Sequence, residues 1–285
     1  MRGLKTGILL IALTLLLVLG GQAISGQNGM AIGLGIAFIM NISAYFFSDK
    51  IALRSSHAQP VTREQAPRLY AVMERLCGKG NIPMPKLYMI PEEAPNAFAT
   101  GRSPHHASVA ATVGLLKLMN DDELEGVIAH ELSHVRNYDI LITSVAAMLA
   151  GALTMLAHFA RWGMIFGGYG GRDSRDRGNA LTMLAMIIVA PLAALLLQLG
   201  ISRQREYAAD AAGVRLVGHP YGLISALKKL GEYNKRIPMN VSPSTASLFI
   251  VAPFTGVRNM MSGLFSTHPP LSERIAVLEN LVITR

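Results

Sequence analysis

The chain has 285 residues, 51% hydrophobic and 15% charged, with a formal net charge of +8. That apolar share is too high for an ordinary soluble domain, and the surplus is clustered into runs long enough to cross a bilayer. The positive charge comes with no aromatic–basic module or finger spacing, which argues against nucleic acid as a partner, and a single cysteine, Cys77, rules out an internal disulfide.

Residues 1–47 carry only Arg2 and Lys5 as charges. Apolar runs at 7–20 and 30–47 flank a short uncharged linker, 21–29. A cleaved signal peptide is the alternative, but the small-residue cleavage pattern is missing. The pattern predicts a helical hairpin of two spans. Lys50, Arg54 and Arg63 come after it, on the same side as Arg2 and Lys5. The positive-inside bias then puts both ends of the hairpin, and the residues beyond Phe47, in the cytoplasm.

Residues 62–78 predict an amphipathic helix with Leu69, Val72, Met73 and Leu76 on one stripe. A turn at 81–85 precedes short strands at 86–90, 97–100 and 107–113. Asn120-Asp121-Asp122-Glu123 is a helix start with Glu123 at the capping-box position. Two turns into that helix stands His130-Glu131-Leu132-Ser133-His134. Two further apolar runs, 141–160 and 180–201, are long enough to span. Their connection carries Arg161, Arg172, Arg175 and Arg177 against Asp173 and Asp176. If both runs cross, those arginines lie outside, against the charge bias. The alternative is a pair buried against the protein, and Pro191 permits a kink. Length favours four spans in all. Residues 202–285 read as helices broken at Gly218-His219-Pro220 and near 240–244, and no structure is assigned to the Met-bearing stretch 249–265.

The HExxH carries chemistry. Residues four apart share a helical face, so His130 and His134 can aim two imidazoles at one metal ion, with Glu131 as a carboxylate base. A chance match arises about once in a hundred such sequences. A catalytic zinc usually has a third protein ligand. Glu206 is the preferred one, because Asp210 lies four residues on and can accept a hydrogen bond from a ligand imidazole. Asp139 and Glu125 are alternative carboxylates. Asp139, five residues past His134 on a continuing helix, points off the ligand face. The HExxH ends just before one apolar run and the Glu206 helix begins just after the next; if those runs span, the metal sits close to the cytoplasmic membrane surface, and if they pack in a soluble core it does not. Tyr207 is assigned to core packing. His57, His105, His106, His158 and His219 are assigned to turns, linkers or interfaces.

These segments, with the N-terminal hairpin, Asn96-Ala97-Phe98-Ala99 and His268-Pro269-Pro270 followed by Arg274, resemble the HtpX-type membrane zinc metalloproteases, relatives of the Ste24-type CAAX prenyl proteases. The resemblance covers nearly the whole chain. It implies an α+β, mainly helical integral membrane protein: a zincin-like (gluzincin) catalytic domain with a small sheet, plus four hydrophobic membrane segments. The expected divisions are a transmembrane hairpin (1–48), the first part of the protease domain (49–139), two hydrophobic segments joined by a Gly/Arg loop (140–201), and the second part of the protease domain (202–285).

The implied activity is zinc-dependent endopeptidase cleavage of damaged or misfolded membrane proteins. It would take place at the cytoplasmic face of a bacterial inner membrane, with one Zn2+ per subunit. Implied partners are polypeptide substrates, the lipid bilayer and other membrane quality-control proteases. His130, His134 and Glu206 would hold the metal and Glu131 would act as general base. Asp210 would orient a ligand, and Asn96, Ala97, Phe98 and Ala99 would form the substrate edge strand. His268 and Arg274 are either transition-state stabilisers or simply the start of the last helix. Alternative functions are a prenyl-protein protease and a catalytically inactive membrane adaptor. The former needs more spans than this chain supplies, and the adaptor has no use for Glu131.

Overall fold

The computed structural model describes residues 2–151, 202–234, 248–251 and 269–283. Helix α1 (Arg2–Ser55) is a hairpin, broken only at Ser25 and Gly26, where Gly26 takes φ 57°. The expected nine-residue linker is therefore mostly helical. Its glycines explain how the limbs approach. A Cβ on Gly21 would lie 2.1 Å from the Gly29 carbonyl oxygen, and one on Gly33 would lie 2.3 Å from that of Leu17. Small residues bring helix backbones together where no hydrophobic effect drives them. Asn41 ties the limbs, its amide donating to Thr14 Oγ1 at 2.9 Å. Ser25–Ser55 is long and apolar enough to cross a membrane, and Thr6–Gln22, at 17 residues, sits at the lower limit of spanning length.

Four strands form one sheet: β1 (Gln59–Pro60), β2 (Lys86–Ile90), β3 (Ala97–Gly101) and β4 (Ala107–Thr112), in the order β1-β2-β4-β3. β2 runs parallel to β4, and β3 lies antiparallel to β4 at the sheet's edge. β2 coincides with the strand read from sequence, and the other two agree to within a residue. Helix α2 (Pro67–Gly80) buries the expected stripe of Leu69, Val72, Met73 and Leu76. It begins five residues later than read, because Pro67 supplies a ready first turn.

A short helix α3 (Val113–Leu118) leads to α4 (Asp121–Arg136), the centre of the domain. Its capping box is present: the Asn120 side chain accepts from Glu123 N–H, and the Glu123 carboxylate accepts from Asn120 N–H, both at 2.9 Å. The helix stops at Arg136, and Tyr138 takes a left-handed φ of 63°. A new helix α5 (Asp139–Gly151) then departs. On α5, Val145, Ala146 and Leu149 pack on Leu9, Leu13 and Ala44 of the hairpin, so this apolar run lies against α1. Its continuation to 160, the run at 180–201 and their connection lie outside the described residues. The single continuous helix expected from HExxH into the apolar run is thus two helices.

Helices α6 (Arg203–Val217), α7 (Tyr221–Asn234) and α8 (Leu271–Ile283) are the remaining α-helices among the described residues. α6 and α7 both pack on α4. Glycines permit the closeness. A Cβ on Gly126 would fall 2.6 Å from Leu223 N, and one on Gly213 would fall 3.1 Å from His130 N. The second contact brings Glu206 and Asp210, two turns and one turn earlier on α6, against the HExxH.

Candidate metal centre

α4 points both imidazoles at one place. His130 Nε2 and His134 Nε2 are 3.2 Å apart. Glu206 Oε2 is 3.7 Å from the first and Glu206 Oε1 is 3.5 Å from the second. These residues could hold a metal ion, their ligand atoms lying within 4.8 Å of one another. Tetrahedral coordination at ~2.0–2.1 Å bonds separates ligand atoms by about 3.3 Å, so the observed spacing fits such an ion. The chemistry of the donor set fits too: two imidazoles and a carboxylate, with buried Glu131 beside them on the same helix.

Behind each histidine stands a carboxylate. His130 Nδ1 is 2.8 Å from Asp210 Oδ1. Donating its Nδ1–H to that carboxylate fixes the tautomer that leaves Nε2 its lone pair. Arg274 grips the same carboxylate with two bonds, Nε to Oδ2 at 2.9 Å and Nη2 to Oδ1 at 2.6 Å. His134 Nδ1 is 3.3 Å from Asp139 Oδ2, and Arg205 Nε is 3.7 Å from Asp139 Oδ1. On a continuous helix Asp139 would be carried off the ligand face, which is why the sequence ranks it low. The break at Tyr138 turns it back, behind His134 rather than beside the ligand atoms. The other alternative, Glu125, is engaged elsewhere by Arg75 in a two-bond pair of 3.2 and 2.9 Å.

The titration behaviour reflects this geometry. Burial, then Arg274, pushes His130 down to about 4 against the pull of Asp210. Burial also opposes charge on His134, but Glu206, Asp139 and Glu131 outweigh it and raise that group to about 9. Burial alone would raise Asp210. Arg274 and His130 instead hold it at about 2. Carboxylates gathered around one imidazole make a pocket that attracts a cation.

Arg274 is fully buried, and its Nη1 also donates to the Ile250 carbonyl at 3.1 Å. The guanidinium also lies 3.3 Å from His130 Nδ1 and 3.9 Å from Glu206 Oε2, so Arg274 braces Asp210 from within reach of two ligand residues. His268 lies outside the described residues. Tyr207 is half-buried and donates to Glu273 at 2.9 Å, so its assignment to core packing is corrected.

Ala97, Phe98 and Ala99 lie on the edge strand, Asn96 directly precedes it, and all four are buried. Phe98 meets Phe249 edge to face at 5.0 Å. Residues 248–251, the last three of them in the stretch left unassigned from sequence, dock here: Ile250 N–H donates to Ala97 O at 3.0 Å, and the Asn96 amide donates to Val251 O at 2.8 Å. Ala97 O therefore points away from β4. The alternation of an antiparallel ladder turns the backbone groups of Ala99 the same way.

Residues 63–282 match the model of peptidase family M48. The chain belongs to peptidase family M48. It is a hydrolase of the metalloprotease class, and among the described residues Ser25–Ser55 is a helix long and apolar enough to cross a membrane. A curated relative named Protease HtpX homolog, from Desulforapulum autotrophicum, is 50% identical over 277 residues, 97% of this chain and 89% of that one. Another of that name, from Syntrophotalea carbinolica, is 50% identical over 284 residues, 99% of this chain and all of that one. Among solved structures, S. mikatae Ste24p matches with a TM-score of 0.50 at 20% identity, a likeness of fold. The match covers 97% of this chain, which spans 64% of the length of that one.

Proposed function

We propose that the chain is a zinc endopeptidase of a bacterial inner membrane that cuts damaged or misfolded membrane proteins on the cytoplasmic side. The observation that carries this is the convergence of His130, His134 and Glu206, at the end of the helix that leads into apolar α5. The nitrogen-rich donor set favours zinc over a harder dication. When bound, the ion supplies Lewis acidity, making a water acidic and polarising a carbonyl. Glu131 takes the proton from the attacking water. As the C–N bond breaks, it delivers that proton to the leaving amine. Asp210 holds His130 by its Nδ1–H, Arg274 keeps Asp210 ionised, and Asp139 performs the same service for His134.

Substrate adds to the outer edge of β3 from Ala99 onward as an extended strand, through backbone hydrogen bonds that demand little of its sequence. This suits unfolded polypeptide. The placement of the site is supported by the packing of α5 on the hairpin and by the charge bias around α1. The four segments divide the chain as 1–48, 49–139, 140–201 and 202–285, with the two protease parts flanking the later apolar pair.

The test uses the full chain in detergent with zinc and casein as substrate. Wild type cleaves, and Glu131→Ala, folded and metal-loaded, does not. Equal cleavage by both defeats the mechanism. A reporter fused within 172–179 tests the four-span topology, and a cytoplasmic signal there contradicts it.

A further inference from the structure

A cavity of about 430 Å³ opens where the hairpin meets the sheet, lined by the end of α1, the start of β2 and the β3–β4 connection. It contains none of the catalytic groups. Its wall includes Tyr45, Phe46, Lys50, Lys86, Arg102 and Ser108. Three cations, Lys50, Lys86 and Arg102, face a single carboxylate, Asp49. Among the described residues none of the three cations makes an ion pair. By contrast, Arg68, Lys117 and Lys228, elsewhere on the same domain, each face an acid. Three cations around a concavity with one carboxylate among them leave a net positive field for an anion.

The location selects the kind of anion. Tyr45, Phe46 and Phe47 are all at least 40% exposed on the last turns of the membrane-suited helix, one turn before Lys50. Aromatic rings followed by lysine mark the headgroup level of a bilayer. Arg102 lies over the Phe46 ring at 5.6 Å and Lys50 over Phe47 at 5.4 Å, so cations and rings form one surface. Lys86 and Ser108 are register partners on β2 and β4, which gives the floor a rigid base. The volume is within the usual range for small-molecule sites and accommodates a glycerophosphate headgroup. Basic pockets at this depth on the cytoplasmic side take anionic lipids.

We propose that the cavity bounded by Lys50, Lys86 and Arg102 binds the phosphate-bearing headgroup of an anionic phospholipid. This rests on the membrane placement of the hairpin and is independent of the protease mechanism. Because Arg102 directly follows the last residue of β3, the bound lipid sits at the far end of the strand proposed to hold substrate.

The full chain in nonionic, phosphate-free detergent is titrated with short-chain phosphatidylglycerol or phosphatidylcholine, and retained lipid is read by native mass spectrometry. Wild type is expected to bind phosphatidylglycerol about 25-fold tighter or more, as two or three cations at roughly fivefold each imply. The double variant Lys86→Ala/Arg102→Ala loses that preference. Lys117→Ala, which removes one charge from the outer surface, keeps it, as does the charge-preserving pair Lys86→Arg/Arg102→Lys. The last variant separates lost charge from lost folding. Equal retention of the two lipids by wild type overturns the proposal, as does an unchanged preference in the double variant. Displacement by millimolar inorganic phosphate overturns it in favour of a free-phosphate site, and displacement by an acidic peptide overturns it in favour of a peptide subsite. Alkaline extraction of membranes reads the placement separately. A chain released to the supernatant defeats placement and proposal together, whereas a retained chain without lipid preference defeats only the lipid site.

Discussion

His130 and His134 stand one turn apart on α4, each backed by a carboxylate that is itself faced by an arginine, but the two chains of contact are built to different tolerances. His130–Asp210–Arg274 is closed: separations of 2.8, 2.6 and 2.9 Å, with all three side chains at most 1% exposed. His134–Asp139–Arg205 is looser: 3.3 and 3.7 Å, with side chains 13–18% exposed. Coulomb interactions strengthen as water is excluded, so the same three residue types give a rigid brace on one side and an adjustable one on the other. Their effects on the imidazoles are opposite. The inner arginine helps keep His130 neutral, while the carboxylates near His134 draw a positive charge to it.

The sharpest way to break this comparison is to remove each arginine. Arg274→Met strands an ionised Asp210 in the interior, and breaking a buried pair this way costs about 3–5 kcal/mol. Arg205→Met leaves Asp139 partly hydrated and should cost at most about 1 kcal/mol. Denaturant unfolding in detergent measures both, and equal costs contradict the asymmetry. Next come the carboxylates. Asp210→Asn weakens metal binding by about 10–100-fold, the usual effect of losing a ligand's hydrogen-bond partner. Asp139→Asn, acting across a longer contact, weakens it by less than about tenfold. Competition with a chelator ranks the two, and a larger loss at Asp139 reverses the assignment of rigid and adjustable sides.

A smaller effect is expected with pH. Asp210 is depressed from 3.8 to about 2 in the folded chain. A depressed acid stabilises fully above its unfolded value and loses that contribution as pH falls through the folded one. The stability gap between wild type and Asp210→Asn should therefore be constant above about pH 4 and close between about pH 4 and 2. A gap that widens on acidification contradicts the ion pair.

Legibility from sequence tracks the range of the interaction. The capping box at Asn120 and Glu123, the stripe on α2 and the strand at 86–90 are local patterns, and they stand where the sequence puts them. Glu206 and Asp210 are legible as a pair because one helical turn separates them. Asp139 is not, because nothing local announces that a tyrosine will take φ 63° and end the helix early. The grip of Arg274 on Asp210 joins α8 to α6 across 64 residues, and the docking of Ile250 on Ala97 spans more than twice that distance. Periodicity carries no trace of such contacts. The hairpin turn, nine residues by sequence and two in the structure, is overestimated because glycine is usually a breaker. At Gly21, Gly29 and Gly33 it serves instead to let helices touch.

The most direct test of the centre is metal stoichiometry in the purified full chain, measured by elemental analysis after removal of loosely held ions. Wild type should carry one zinc per chain, Glu131→Gln should keep it because Glu131 is assigned to proton transfer, and Glu206→Ala should lose it. A Glu206→Ala chain that still holds one tightly bound zinc would contradict the site.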